Sequence, residues 1–151
     1  MVFWQLTIDA NDPPRLVRFW APVLGYEVPP APAGFDSWPA YYASLGVEIT
    51  DWEWVDRLRD PRGEGPTIWF QQVPETKTIK NRLHLDVYPT GRNRDLPVAQ
   101  RRKIVEAKVA ELVATGATVL RRFPDDFDTA ESPDVYFVVC ADPEGNEFCV
   151  G

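Results

Sequence analysis

The sequence predicts an α+β fold made of two βαβββ modules in one domain, covering 1–74 and 75–151 of the 151 residues. Three observations predict it. An alternating run followed by an amphipathic, glycine-stopped helix occurs twice. The two helix-stopping glycines, Gly25 and Gly116, lie 91 positions apart. Two DP-x-G turns begin at Asp60 and Asp142, 82 positions apart, each between apolar runs readable as a hairpin. A ferredoxin-like α+β domain without duplication is the competing reading, because such turns are common on their own. The twin hairpins weigh against it.

Val2 to Asp9 alternates, with Trp4, Leu6 and Ile8 on one face and Gln5, Thr7 and Asp9 on the other, which is strand periodicity. Asn11 or Asp12 offers an N-cap, and Pro13 and Pro14 suit a first helical turn. Leu16, Phe19, Trp20, Val23 and Leu24 follow at helical spacing, Pro22 should distort the last turn, and Gly25 stops it. Tyr26 to Val28 starts a strand. Prolines 29, 30, 32 and 39 stiffen the next loop. Within it, Asp36 or Ser37 can cap a short helix presenting Trp38, Tyr41, Tyr42 and Leu45, stopped by Gly46. This insertion reads either as a lid or as an edge-covering element that adds core, and the packing face favours the second. Trp54 to Leu58 and Thr67 to Val73 form the first hairpin, and residues 74–81 a polar linker.

The second module repeats the order. Arg82 to Tyr88 reads as a strand. Pro97 opens a helix with Val105, Val109, Leu112 and Val113 on one face, and Gly116 ends it. Ala117 to Arg121 is a strand, and Val135 to Ala141 with Glu147 to Val150 is the last hairpin. Aligning first strands pairs Gln5 with His84, and aligning last strands pairs Gln71 with Cys149, at spacings of 79 and 78.

Composition narrows the partners. A formal charge of −7 argues against a nucleic-acid surface, which needs clustered Lys and Arg. The basic run Arg101, Arg102, Lys103 shares its helix with Glu106 and Glu111 and reads as a solvated face. No run approaches a membrane span, and the start lacks the features of a signal peptide. The two cysteines, Cys140 and Cys149, sit in apolar runs without CxxC spacing, so the expectation is reduced, buried thiols in a cytoplasmic protein.

The stretches QLTIDANDPPRLVRFWAPVLGYEV, IWFQQVPETKTIKNRLHLDV and YFVVCADPEGNEFCV, together with LVATGATVL, span nearly the whole chain. They resemble the glyoxalase/bleomycin-resistance/extradiol-dioxygenase superfamily, also called vicinal oxygen chelate. The segment from Trp69 to Val87 is the most specific and is similar to the glyoxalase-like domain subgroup. The resemblance implies that each module forms a half-barrel, the two facing each other around one pocket. In metal-dependent members the ligands come from the first and last strands of the modules. Carried over by position, these are Gln5, Gln71, His84 and Cys149. The family pattern most often has His at the first position and His or Glu at the others, and this chain keeps only the His.

Those residue types are poor metal ligands. Gln5 and Gln71 offer neutral amide oxygens, and with one His in the chain a 2-His-1-carboxylate triad within it is impossible. Glu147 shares the face of Cys149 by alternation and could add a carboxylate. The expectation is therefore a protein without stoichiometric metal or other cofactor. His84 is the candidate acid/base or hydrogen-bonding anchor, weighed against a buried imidazole satisfied by Asp86. Gln5 and Gln71 read as ligand contacts, or as partners of each other or of His84 in a closed former metal site. Trp69 could stack on a flat ligand or fill core. Cys149 could act as a nucleophile only with a lowered pKa, and a structural thiol is favoured.

Two function classes follow. One is a small-molecule binding protein with a metal-free or metal-poor pocket formed by Gln5, Trp69, Gln71, His84, Asp86, Glu147 and Cys149. The other is a lyase or isomerase of the vicinal oxygen chelate type using His84 as acid/base or metal ligand. The open sheet edges left by βαβββ modules predict a homodimer or an intimately fused two-cup monomer. A structural or regulatory domain without ligand is a third, blander possibility.

Overall fold

The computed structural model describes residues 2–125 and 135–151. The fold is α+β, and the chain divides into two compact units, Met1–Thr76 and Lys77–Gly151.

In the first unit β1 (Gln5–Ala10) leads into α1 (Pro13–Leu24), then α2 (Trp38–Ser44), β2 (Arg57–Leu58) and β3 (Thr67–Gln72). The sheet order is β1-β3-β2, with β1 parallel and β2 antiparallel to β3. Of the two possible caps for α1, Asp12 serves: its carboxylate accepts the Arg15 N–H at 3.0 Å. Asn11 is used differently. Its amide donates to the Val73 and Glu75 carbonyls at 2.8 and 3.0 Å, tying the start of α1 to the end of β3. Pro22 is accommodated within α1, which ends at Gly25 in the left-handed conformation, φ 67°. Leu16, Val17, Phe19 and Trp20 of α1 are buried, as are Leu58, Ile68 and Phe70 of the sheet face it covers. Each such side chain contributes about 1.5–3 kcal/mol on burial.

Three expectations shift here. Tyr26 to Val28 makes one bridge, Glu27 to Arg59, rather than a strand. The strand expected from Trp54 shrinks to Arg57–Leu58, because Trp54 closes a turn onto the Asp51 carbonyl. Leu45 caps α2 and is 59% exposed, so it does not join the packing face of Trp38 and Tyr42.

The second unit holds β4 (Asp86–Val87), α3 (Val98–Ala114), β5 (Thr118–Phe123), β6 (Phe137–Ala141) and β7 (Glu147–Val150), in sheet order β4-β7-β6-β5. As in the first unit, the first strand runs parallel to the last. Val105, Val109 and Leu112 of α3 are buried, as are Val138, Cys140, Phe148 and Val150 of the sheet. Val113, expected on that face, is 47% exposed. The strand expected over Arg82 to Tyr88 is only Asp86–Val87, since ladder bonds begin where the Leu85 carbonyl accepts the Cys149 N–H. His84 therefore sits just ahead of the strand.

Both DP-x-G turns are anchored alike. Asp60 is buried and accepts the N–H groups of Arg62, Glu64 and Gly65, which hold its carboxyl below the usual range. Asp142 is buried and accepts those of Glu144 and Asn146. Gly63 and Gly145 take φ of 71° and 87°, which glycine adopts without Cβ strain. Among the described residues no helix is long and apolar enough to cross a membrane.

Candidate functional site

Alternation decides which side chains leave the core. In the second unit Val138, Cys140, Phe148 and Val150 are buried, so Phe137, Val139, Glu147 and Cys149 project from the other face. These four, with His84, Asp86 and Tyr88, line a cavity of about 510 Å³. Four of the residues expected at the site, His84, Asp86, Glu147 and Cys149, are thus brought together.

Asp86 is the hub of this group. Its Oδ1 lies 3.1 Å from His84 Nδ1, and both side chains are about half exposed. A carboxylate at Nδ1 orients an imidazole and favours the tautomer that presents Nε2 as an acceptor. Asp86 also faces Cys149 in the parallel β4–β7 ladder. Burial pushes the Cys149 thiol up, and the charge of Asp86 and its hydrogen bond push it further. The thiol is therefore held protonated, opposite to what a cysteine nucleophile needs. Glu147 pairs with Lys80, whose hydrogen bond holds the carboxyl below its usual range.

The cavity also has cationic lining residues that sequence reasoning missed. Arg92, Arg94, Arg101 and Arg121 also line it. Arg101 is not a purely solvated helix residue, since its Nε donates to the Leu96 carbonyl at 3.1 Å. A usable signal existed in the run GRNR, residues 91–94, a basic loop in an acidic chain.

In the first unit the corresponding sheet face is occupied from within. Asp56 is buried and accepts from Trp69 Nε1 at 3.0 Å, from Arg57 Nε at 2.8 Å and from the Tyr42 hydroxyl. Arg57 also lies over the Trp38 ring, 4.2 Å from its centroid. Burial, then the bond to Asp56, pushes the Tyr42 hydroxyl up to about 12, so it stays a donor. Trp69 is thereby engaged with Asp56, and α2 is a packing element on this sheet. Gln71 faces Asp9 across the ladder, and Gln5 is exposed at the start of β1.

The ladders also revise the alignment of the two units. Gln71 pairs with Asp9, and Cys149 pairs with Asp86. With Gln71 and Cys149 as counterparts, Asp9 matches Asp86 and Thr7 matches His84. Gln5 lies two residues too early. The side-chain pattern agrees, since Leu6-Thr7-Ile8-Asp9 parallels Leu83-His84-Leu85-Asp86.

The metal positions implied by the family therefore carry a threonine or glutamine, a second glutamine, one imidazole and a protonated thiol. That set does not fit a hard divalent cation. A smaller set in the second unit has a different chemistry. One donor atom each from His84, Asp86 and Cys149 lie within 4.8 Å of one another. An imidazole, a carboxylate and a thiol fit a thiophilic ion such as zinc, provided the thiol gives up its proton.

Comparison with known proteins gives the family. No curated protein matches the chain. Solved structures match over almost its full length. A glyoxalase/bleomycin resistance protein/dioxygenase family enzyme from Burkholderia phytofirmans PsJN is 18% identical, with 97% of this chain and 94% of that one covered, at a TM-score of 0.52. A possible glyoxalase from Bacillus cereus is 14% identical, with 99% and 97% covered, at 0.52. The fosfomycin resistance protein FosX from Mesorhizobium loti is 12% identical, with 99% and 92% covered, at 0.50. At these identities the likeness speaks for the fold alone. The profile of the glyoxalase-like domain matches residues 5–151, so the chain belongs to the glyoxalase-like domain family.

Proposed function

We propose that this protein binds a small organic molecule in the cavity of its second unit, without requiring a resident transition metal. One observation carries the reading: a cavity of about 510 Å³ gathers apolar walls and convergent polar groups. Pockets for small ligands have volumes of about 300–1,000 Å³ and the same mix of apolar wall and few polar anchors. His84, oriented by Asp86, is the hydrogen-bonding anchor, and Glu147 and Cys149 complete the polar floor. The test is a fragment screen read by amide shifts in isotope-labelled protein. Shifts clustered on Val139, Cys149 and Gly151 are expected. A screen whose hits shift only residues elsewhere would overturn the reading.

A second reading is supported by the His84–Asp86 pair, 3.1 Å apart, next to the Cys149 thiol. It is a lyase or isomerase in which His84 Nε2 takes a proton from the substrate, or in which His84, Asp86 and Cys149 hold a metal. Such an ion would supply Lewis-acid polarisation of a bound oxygen. Titration with cobalt(II) separates the readings. A thiolate-to-cobalt absorption band that vanishes in Cys149→Ser favours the second, and its absence at saturating cobalt favours the first. A cytoplasmic homodimer remains part of the proposal, supported by two free cysteines and by edge strands that have one ladder partner each among the described residues.

A further inference from the structure

The charges lining the cavity do not cancel. Near its floor Lys80 is paired with Glu147, and His84 sits beside Asp86. Arg92, Arg94 and Arg121, which also line the cavity, have no carboxylate partner among the described residues, although the chain carries a formal charge of −7. Unpaired guanidinium groups gathered around one pocket of an acidic protein form a focused positive field. Guanidinium also matches carboxylate and phosphate geometry with two parallel N–H donors.

The backbone adds a second, independent observation. Gly91 and Arg92 both take positive φ, 61° and 59°, and the Asn93 N–H bonds the Thr90 carbonyl at 3.2 Å. Two successive left-handed residues across such a bond are the pattern of a type I′ turn, in which glycine, asparagine or aspartate would be expected. Arg92 occupies the second of these positions at a conformational cost. Non-glycine residues held in that region cluster at functional sites. Its guanidinium is laid over the Tyr88 ring, 4.8 Å from the centroid, and both residues line the cavity. Arg121 reaches the cavity from β5, paired with Val139 of the apolar wall.

We propose that the cavity selects organic anions, seating an apolar or aromatic body against Tyr88, Phe137 and Val139 and a carboxylate or phosphate against Arg92, Arg94 and Arg121. This rests on the cavity being the small-molecule site, and it names the class of ligand taken there.

The test uses three matched probes on the full chain: 2-naphthoate, 2-naphthyl phosphate and the neutral 2-naphthamide. Binding is followed by calorimetry and by amide shifts of cavity residues. At low salt the better anion should bind about tenfold tighter than the amide, and added sodium chloride should narrow the gap. A preference for naphthoate or for the phosphate sorts the anion into carboxylate or phosphate ester. Arg92→Gly and Arg121→Gln should each weaken the anion by about threefold or more and leave the amide unchanged. Arg92→Gly should also match or exceed the wild-type melting temperature, because glycine takes positive φ freely. Affinity lost while stability is kept separates a ligand role from a structural one. Equal binding of amide and anions overturns the anion proposal and leaves the pocket reading standing. No cavity shifts with any of the three overturns both.

Discussion

Asp86 stands between His84 and Cys149: its Oδ1 is 3.1 Å from the imidazole Nδ1, and its backbone is paired with that of Cys149. One carboxylate thus orients the imidazole and keeps the thiol protonated. The consequence is measurable. At neutral pH Cys149 should react with iodoacetamide more slowly than a free cysteine, with the rate rising only at alkaline pH. Asp86→Asn removes the charge and the carboxylate hydrogen bond that are the largest causes after burial, leaving the smaller effect of the Glu147 charge, so alkylation at pH 8 should speed up several-fold. An unchanged or slower rate in Asp86→Asn would contradict this. Cys140, buried and pushed up to about 11, should react last.

The Asp56 cluster makes a different prediction. Asp56→Ala leaves the Trp69 indole, the Tyr42 hydroxyl and the Arg57 guanidinium without their shared acceptor. Removing one partner of a buried charged network costs about 2–5 kcal/mol. Denaturant unfolding should show that loss, while probes of the second unit's cavity should bind as before. A loss under about 0.5 kcal/mol would mean that the cluster does not hold α2 on the sheet.

Glu106 ties α3 to its sheet, accepting from Arg122 Nε and Nη2 at 2.9 and 3.1 Å and from the Tyr136 hydroxyl. The Arg122 bond, and then the Tyr136 bond, hold its carboxyl below the usual value of 4.5. A depressed acid stabilises the fold above its unfolded pKa and loses that contribution as pH falls through the folded one. Glu106→Gln should cost about 1 kcal/mol at pH 7, a modest figure because Arg122 is nearly half exposed. The gap between variant and wild type should close as pH falls below 4.5. A gap that persists unchanged at pH 3 would place its origin in packing rather than charge.

Phe70 and Phe148 are counterparts, each fully buried on the helix-facing side of its last strand. Replacing either by Ala should cost about 3–5 kcal/mol. Thermal unfolding that shows less than about 1 kcal/mol for either would contradict the assigned core faces.

Much of this was legible in the sequence because its signals are local. Asp12, Pro13 and Gly25 bracket α1 by capping chemistry, and the two Asp-Pro-x-Gly turns declare their own hairpins. Spacing alone gives the core-facing Val105, Val109 and Leu112 of α3, though it overreaches at Val113, which is 47% exposed. Long-range pairing was less readable. Arg82 to Tyr88 alternates like a strand, but only Asp86 and Val87 find ladder partners, and Leu83 is 83% exposed. Matching polar residues suggested Gln5 as the counterpart of His84, whereas the ladder register follows the apolar pattern and selects Thr7. Asp56 lies inside the stretch Trp54 to Leu58 read as a strand and carries no signal of its own in the sequence; only tertiary structure brings it to Trp69. The arginines of the cavity come from a loop, a helix and a strand, so no single period could join them.

The central claim is that the second unit's cavity is a small-molecule site anchored by His84. Its most direct measurement is calorimetry of His84→Ala with the tightest-binding compound of the fragment screen, alongside a denaturation curve. Losing one oriented hydrogen bond should weaken binding by about fivefold to thirtyfold, with stability within about 1 kcal/mol of wild type. Unchanged affinity together with a clear loss of stability would contradict the claim and make the His84–Asp86 pair a part of the fold alone.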